Sequence, residues 1–543
     1  MAVRYCYPAA GTVRTDDERI GRLYHNTARY IDRPQVWEGL FRLACLIKSS
    51  PAEEPVASLI VNAGADTDSG AFEGTFPVQI CIARALLALF EYNTDRTILK
   101  RIASWLRYTE IEFDNLSSGS SILYNPADLM ELLVRYYQAS GVKSALRLCT
   151  RLRADAFDWT TAMHTFQQSI PIRQDERTEA FCFPAVKPDE IDYDDREKLI
   201  NHAEMLADGV RFTLFSGLFS GHGQDLSSGK TIWSYLIKHH RALCGGTTGD
   251  PYLSGNAPDQ PVSSTVLCAW TEAFAAQMIQ EDSEWAADEM IRIVYNGLEY
   301  CLNHEEAISM QRINTVCEMQ TVPSDCVKYY ARLARAVSCA FLHAVALTEN
   351  GFRINYLLPA RYMLMSQKQP VMLKTDEQSV VFLCKKPVSA VTELFRPRTA
   401  SWSVDIRRNK PNEFSFLRKR YDDESFVLTA DTEWDDRDKI ILEPDNRIVC
   451  ENTHHQGVCY LYFNRMLCLP ASEADYAYAV CGPAVMKEGS ATIAVAPADT
   501  WRIRDHLPAD IPVLPETVHE QIIKKLETYS SLRCRITMFP RAR

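Results

Sequence analysis

The sequence has 17 cysteines and 12 histidines but no Cys-x-x-Cys and no His-x-x-x-His. It therefore carries no ready-made zinc motif. No apolar run is long enough to cross a bilayer, so no membrane partner is expected. The opening Met-Ala-Val-Arg-Tyr-Cys-Tyr-Pro lacks a signal-peptide core. The expected setting is the cytoplasm, where scattered thiols stay reduced and pack as core filler. Basic residues are in the minority: 59 Lys and Arg against 70 Asp and Glu, a net charge of -11. That balance excludes nucleic-acid binding, which needs clustered cations to displace counterions. No fixed-period repeat of the TPR or HEAT type is present.

What is present exceeds one hydrophobic core: 543 residues with 46% hydrophobic content predict two or more domains. From about residue 17 to 350 the apolar residues recur with helical period. Examples are Gln35–Ser49, Val78–Tyr92, Asp128–Ala139, Val266–Ile279, Ser283–Leu302 and Cys326–Thr348. About a dozen helices in pairs predict six hairpins closed into an (α/α)6 toroid, although an open solenoid has the same count. After Asn350-Gly351 the runs become short and β-branched, such as Ser379–Cys384, Lys439–Glu443 and Ala491–Ala496. These predict an antiparallel β-sandwich over 351–543, with a final helix at about Pro515–Tyr529. The expected fold is thus an α/α barrel domain, 1–350, followed by a β-sandwich domain.

Three polar loops interrupt the helical half. Asn62–Phe76 holds Asp66, Asp68 and Glu73. Cys244–Ser264 has four glycines, three prolines and the acids Asp250 and Asp259. Thr321–Val327 holds Asp325 and Cys326. A long irregular loop inside a helical domain is usually functional. In a toroid such loops surround one cavity, and carboxylates gathered there suit acid/base chemistry on sugars. Aromatic residues nearby, Phe72, Tyr252, Trp270 and Tyr329, could stack on a sugar face. His202 opens a further helical segment, and His222 and Asp225 follow it. Plainer roles stay open. Asp325 suits a helix N-cap, Asp66, Asp68 and Asp250 suit turns, and His202 suits a satisfied buried histidine. The His239-His240 and His454-His455 pairs point in different directions on a regular element, so no metal is expected there.

Several stretches together resemble the β-L-arabinofuranosidase family of glycoside hydrolases. Glu284–Leu298 (EWAADEMIRIVYNGL) is similar to a helix of that family that ends in Tyr-Asn-Gly, here Tyr295-Asn-Gly297. Cys244-Gly-Gly-Thr-Thr-Gly-Asp250 is similar to its glycine-rich loop, and His202-Ala-Glu-Met-Leu-Ala to its Gly-His-Ala helix. Asp325–Ala334 is similar to its Cys-Cys-Pro-Pro segment, and Ile354–Ala360 to a Val-Asn-Leu-Tyr-Ile-Pro strand. The resemblance covers about residues 35–500. It implies an (α/α)6 barrel, a β-sandwich and a sugar-binding cavity.

The same resemblance implies a general acid/base, whose nearest match is Asp250. It also implies a zinc ion held by one glutamate and three cysteines, one of them the nucleophile. Those four positions fall on Ser263, Thr265, Asp325 and Cys326, so one ligand of four is kept. A thiolate-rich zinc site cannot be built from that set. Of the family's substrate histidines, His202 is kept, and the others fall near Cys81 and Ala127.

The expectation is a metal-independent glycoside hydrolase for a small or terminal glycan, without a cofactor. Asp250 would be the acid and Asp325 the nucleophile or base. His202, Glu73, Asp68, Tyr252 and His222 would bind hydroxyls. Rivals are a polysaccharide lyase or sugar epimerase on the same toroid, favoured by cations in the cavity, and a non-catalytic glycan-binding or scaffold member. The carbohydrate is the expected partner, and a homodimer is compatible with the sequence.

Overall fold

The computed structural model describes residues 13–47, 53–63, 69–115, 120–169, 196–249, 251–256, 262–280, 283–304, 312–313, 326–348, 350–366, 369–396, 402–409, 416–421, 426–444, 449–452, 458–463, 466–470, 478–480, 485–487, 490–497, 522–528 and 539–540. Asp66, Asp68, Asp250, Asp259, Asp325 and the His454-His455 pair lie outside them.

Twelve principal helices fall into two sets among the described residues. The outer set is α1 (Glu18–Ala28), α3 (Glu53–Ala63), α5 (Arg96–Asn115), α7 (Lys143–Asp155), α9 (Gly223–His239) and α11. The last is continuous from Glu284–Arg292 through a π-helical turn, Ile293–Leu298, to Glu299–Asn303. The inner set is α2 (Pro34–Leu46), α4 (Phe76–Asn93), α6 (Ala127–Ser140), α8 (Ala203–Ser220), α10 (Ser264–Gln277) and α12 (Val327–His343). Each inner helix packs against the next, and α12 packs back on α2, so the ring is closed. The solenoid alternative is thereby ruled out.

Sequence explains the sorting. Outer helices bury a single stripe: in α5 it is Ile98, Leu99, Ile102, Trp105, Leu106, Thr109 and Phe113, the spacing of an amphipathic helix. Inner helices are buried nearly all round, as α10 is from Ser264 to Gln277. Cys45 and Cys268 of this layer are free thiols in the core, as are Cys244 in the glycine-rich loop and Cys301 on α11, and burial pushes Cys45, Cys244 and Cys301 up to about 12.

The β half begins at Val345, directly after α12, rather than at residue 351. Strands Val345–Thr348 and Gly351–Ile354 form a hairpin at the edge of a five-stranded sheet. A six-stranded sheet packs with it, and the two share a core in which Phe382 stacks on Trp434, with centroids 4.0 Å apart. Ser379–Cys384 alternates buried and half-buried residues, the period of a half-buried strand. The chain's Val13–Arg14 pairs with Ala360–Ser366, so the first described residues belong to this sandwich. A third sheet of eight strands follows, from Val449 onward.

The expected C-terminal helix is a correction. Ile522–Thr528 is a strand between Met466–Pro470 and Ser490–Pro497. Two partner strands satisfy its backbone groups, and that tertiary pairing overrides local helical pattern.

Candidate functional site at the barrel mouth

The six inner helices run in one direction, each joined to the next through an outer helix that returns. Their N-terminal turns therefore share one end of the ring. His202 is the N-cap of α8, and its Nδ1 accepts from Met205 N at 3.4 Å. Ser263 is the N-cap of α10 and Cys326 that of α12. From these three turns Glu204, Thr265 and Lys328 converge. Lys328 Nζ donates to Glu204 Oε2 at 2.9 Å, Thr265 Oγ1 donates to the same oxygen at 3.3 Å, and Ser263 Oγ lies 3.0 Å from Thr265 Oγ1. Arg332, one turn deeper, reaches Glu204 Oε1 at 3.3 Å.

The glycine-rich loop fastens this corner. Gly249 O accepts from Ser263 N at 2.9 Å, and Pro251 O accepts from Ala203 N at 2.9 Å. Gly249 has φ 139°, and a β-carbon there would sit 2.6 Å from Tyr252 O, so only glycine lets the chain close against Tyr252. Tyr252 pairs with His202 in an isolated bridge, their rings edge-on at 5.6 Å.

Burial pulls the His202 imidazole below its ordinary pKa, so it is neutral at pH 7. Burial alone would raise Glu204, but Arg332, Lys328 and His202 outweigh it and hold the carboxyl down to about 2. Glu204 is thus an ionised hydrogen-bond acceptor at neutral pH and cannot serve as a general acid.

Below the mouth the axis is filled with charge. Arg332 holds Asp208 at 2.5 Å and Glu272 at 3.1 Å. Arg335 binds both oxygens of Asp128 at 3.0 Å. Arg211 bridges Asp128, Glu131, Asp208 and Glu272. Arg84 joins Glu38 at 2.7 Å to Glu131 at 3.2 Å. At the far end Arg42 and Arg135 share Glu91. Burying one unpaired ion costs several kcal/mol even after relaxation, so pairing must be complete. The network meets that demand with Arg42, Arg84, Arg135, Arg211, Lys328, Arg332 and Arg335 against Glu38, Glu91, Asp128, Glu131, Glu204, Asp208 and Glu272.

The expected residues divide. His202 and Tyr252 meet at the mouth, but Tyr252 is 1% exposed; it braces His202 and offers no stacking face. Phe72, Trp270 and Tyr329 are likewise core residues: Phe72 stacks on Trp105, and Trp270 packs on Trp233 and Phe274. Glu73 is exposed in the turn before α4, at the mouth end of the ring. His222 is not brought to the mouth. It caps α9, beyond the far end of the 18-residue α8, about 27 Å of helix rise from His202. Its neighbour Asp225 pairs there with Arg153 at 2.9 Å. His240 is buried with both ring nitrogens in hydrogen bonds, to Gln168 O and from Gly255 N.

Sequence reasoning missed Glu204, Lys328 and the axial network. The sequence holds only an ambiguous trace of the network: charges at i, i+3 or i+4 inside otherwise apolar helices, such as Glu38/Arg42, Glu131/Arg135 and Asp208/Arg211, which read equally as solvated pairs.

A zinc ion does not fit this corner. Ser263, Thr265 and Cys326 supply two hydroxyls and one thiol, and the nearby Glu204 carboxylate already carries an ammonium at 2.9 Å. Zinc prefers thiolate and imidazole donors. Among the described residues no group of three His, Cys, Asp or Glu is arranged to hold a metal.

No family model and no curated protein matches the sequence. Solved structures do. One, described as a glycoside hydrolase, matches with a TM-score of 0.70 and 12% identity, over 99% of this chain and 97% of that chain. A GH127 β-L-arabinofuranosidase from Geobacillus stearothermophilus T6 matches at 0.63, 13% identity, 95% and 90%. Another GH127 β-arabinofuranosidase matches at 0.59, 12% identity, 96% and 91%. The chain therefore has the fold of these enzymes along nearly its whole length, as the sequence resemblance implied.

Proposed function

We propose that the protein is a glycoside hydrolase acting on a small or terminal glycan at the barrel mouth, without a metal ion. The observation that carries this reading is the convergence of Glu204, Thr265 and Lys328 from three helix N-termini at one end of a closed ring. The ring is one that named glycoside hydrolases share. Neutral His202 and the exposed Lys328 ammonium are suited to hold sugar hydroxyls. Asp250 as acid and Asp325 as nucleophile or base remain our assignments for bond cleavage. They are supported by their described neighbours. Gly249 and Pro251 hydrogen-bond to Ser263 and Ala203, and Cys326 caps the helix that carries Lys328. In the reaction the acid protonates the leaving oxygen while the second carboxylate attacks the anomeric carbon or activates water.

The lyase alternative gains little. Cations do line the axis, yet each is matched by a carboxylate, so among the described residues no excess charge remains at the mouth to neutralise a uronate. The test is a panel of nitrophenyl glycosides, arabinofuranosides included, with wild type, Asp250→Asn and Asp325→Asn. Turnover lost in both variants, with folding intact, supports the assignment. Glycan binding without turnover by the wild type would replace it with the non-catalytic reading.

A further inference from the structure

The far half of the barrel axis encloses a cavity of ≈ 30 Å³. Five guanidinium groups line it, from Arg42, Arg84, Arg135, Arg211 and Arg335. Three carboxylates face them, from Glu38, Glu131 and Glu272. The network as a whole is balanced, but its remaining carboxylates engage these arginines from other sides. Glu91 holds Arg42 and Arg135 at the base, and Asp128 and Asp208 hold Arg211 from elsewhere on α6 and α8. Counted over the lining alone, five guanidinium groups face three carboxylates, while Glu91 and Asp128 complete the pairing of those arginines just outside it.

One donor is left over. Arg211 is 2% exposed, and its two terminal nitrogens serve four carboxylates. Its Nε is buried without an acceptor among the described residues. A buried donor with no acceptor is costly, and the volume has room for about two waters or one monatomic ion. We propose that this cavity binds a single monatomic anion, chloride being the occupant, which accepts from Arg211 Nε amid the five lining guanidinium groups. The site stands whether or not the mouth hydrolyses glycosides.

The whole protein would be titrated with sodium chloride against sodium gluconate at constant ionic strength, following the thermal midpoint. The expected result is a saturable rise on the order of 2 °C in chloride and none in gluconate. Crystals soaked in bromide should show an anomalous peak on the axis within hydrogen-bond reach of Arg211. Arg211→Lys, which keeps the charge and removes the Nε donor, should abolish the chloride response. Should it fail to fold, Ala276→Val narrows the same cavity and should weaken the response. Equal midpoints in both salts at every concentration, or bromide peaks only elsewhere with water on the axis, would overturn the proposal.

Discussion

Lys328 and Glu204, 124 positions apart in the chain, meet at 2.9 Å from the first turns of two inner helices. The pair marks where the barrel presents its mouth, and it is lopsided. Glu204 is buried, with 7% side-chain exposure, while Lys328 is 69% exposed. An exposed ammonium adds about 0.5 kcal/mol or less to stability, so Lys328→Met should leave the urea midpoint nearly unmoved. If the ammonium instead holds substrate, the same variant should raise KM clearly. Glu204→Gln removes the charge that both Lys328 and Arg332 use, and kcat/KM should fall on the order of 100-fold. Wild-type kinetics in both variants would remove this corner from the site.

A dication has no reason to enter a corner that already holds an ammonium and offers mainly hydroxyls. Dialysis against EDTA or phenanthroline should therefore change neither glycosidase activity nor the thermal midpoint. Elemental analysis of the purified protein should find less than one zinc per chain. Activity lost to the chelator and restored by zinc would contradict the metal-free mechanism.

The barrel and sandwich were legible because periodicity is a local property: the stripe of α5 and the alternation of Ser379–Cys384 are visible without a neighbour. The axial network was not. Glu131, Arg135, Asp208 and Arg211 look like solvated positions until the ring closes and turns them toward one another. Ile522–Thr528 failed for the same reason, since only its two partner strands decide against a helix. Of the site, His202 was legible as the opening residue of its helix. Glu204, two residues later, was hidden because nothing local reveals that a lysine 124 positions away faces it.

Acid should weaken the fold in two stages. Burial lowers His240 and His343 from 6.5 to about 4, with His343 Nδ1 donating to Cys339 O at 2.9 Å in its neutral form. Between pH 6.5 and 4 the unfolded chain binds more protons at these positions, so stability falls as the pH falls through that window. For Glu38 burial acts upward, but Arg84, Arg42, Arg335 and Arg135 outweigh it and lower the carboxyl from 4.5 to about 2. Glu204 behaves alike. Their contribution is present above pH 4.5 and is lost as pH approaches 2. The urea midpoint should decline from pH 6.5 and more steeply below 4.5. The double variant His240→Asn, His343→Gln should flatten only the upper limb. A midpoint constant between pH 6.5 and 4.5 in the wild type would show that these histidines do not control it.

The Tyr295-Asn-Gly297 motif, the most specific element of the family resemblance, has a structural task. It lies on the π-helical turn of α11. Tyr295 donates to Leu357 O at the junction with the sandwich, and Asn296 Nδ2 donates to Arg292 O at 2.9 Å. At Gly297 a β-carbon would lie 2.6 Å from Leu267 Cδ1 and 3.0 Å from Cys244 O. Helix propensity favours Gly297→Ala by about 1 kcal/mol, but the clash with a packed leucine and a backbone carbonyl costs roughly 1–3 kcal/mol. The clash should win, because Cys244 begins the loop that fastens the site and cannot retreat without shifting Gly249 and Tyr252. The expected outcome is a lowered thermal midpoint together with reduced activity. A stabilised Gly297→Ala protein would mean that helix, loop and leucine are looser than their close packing implies.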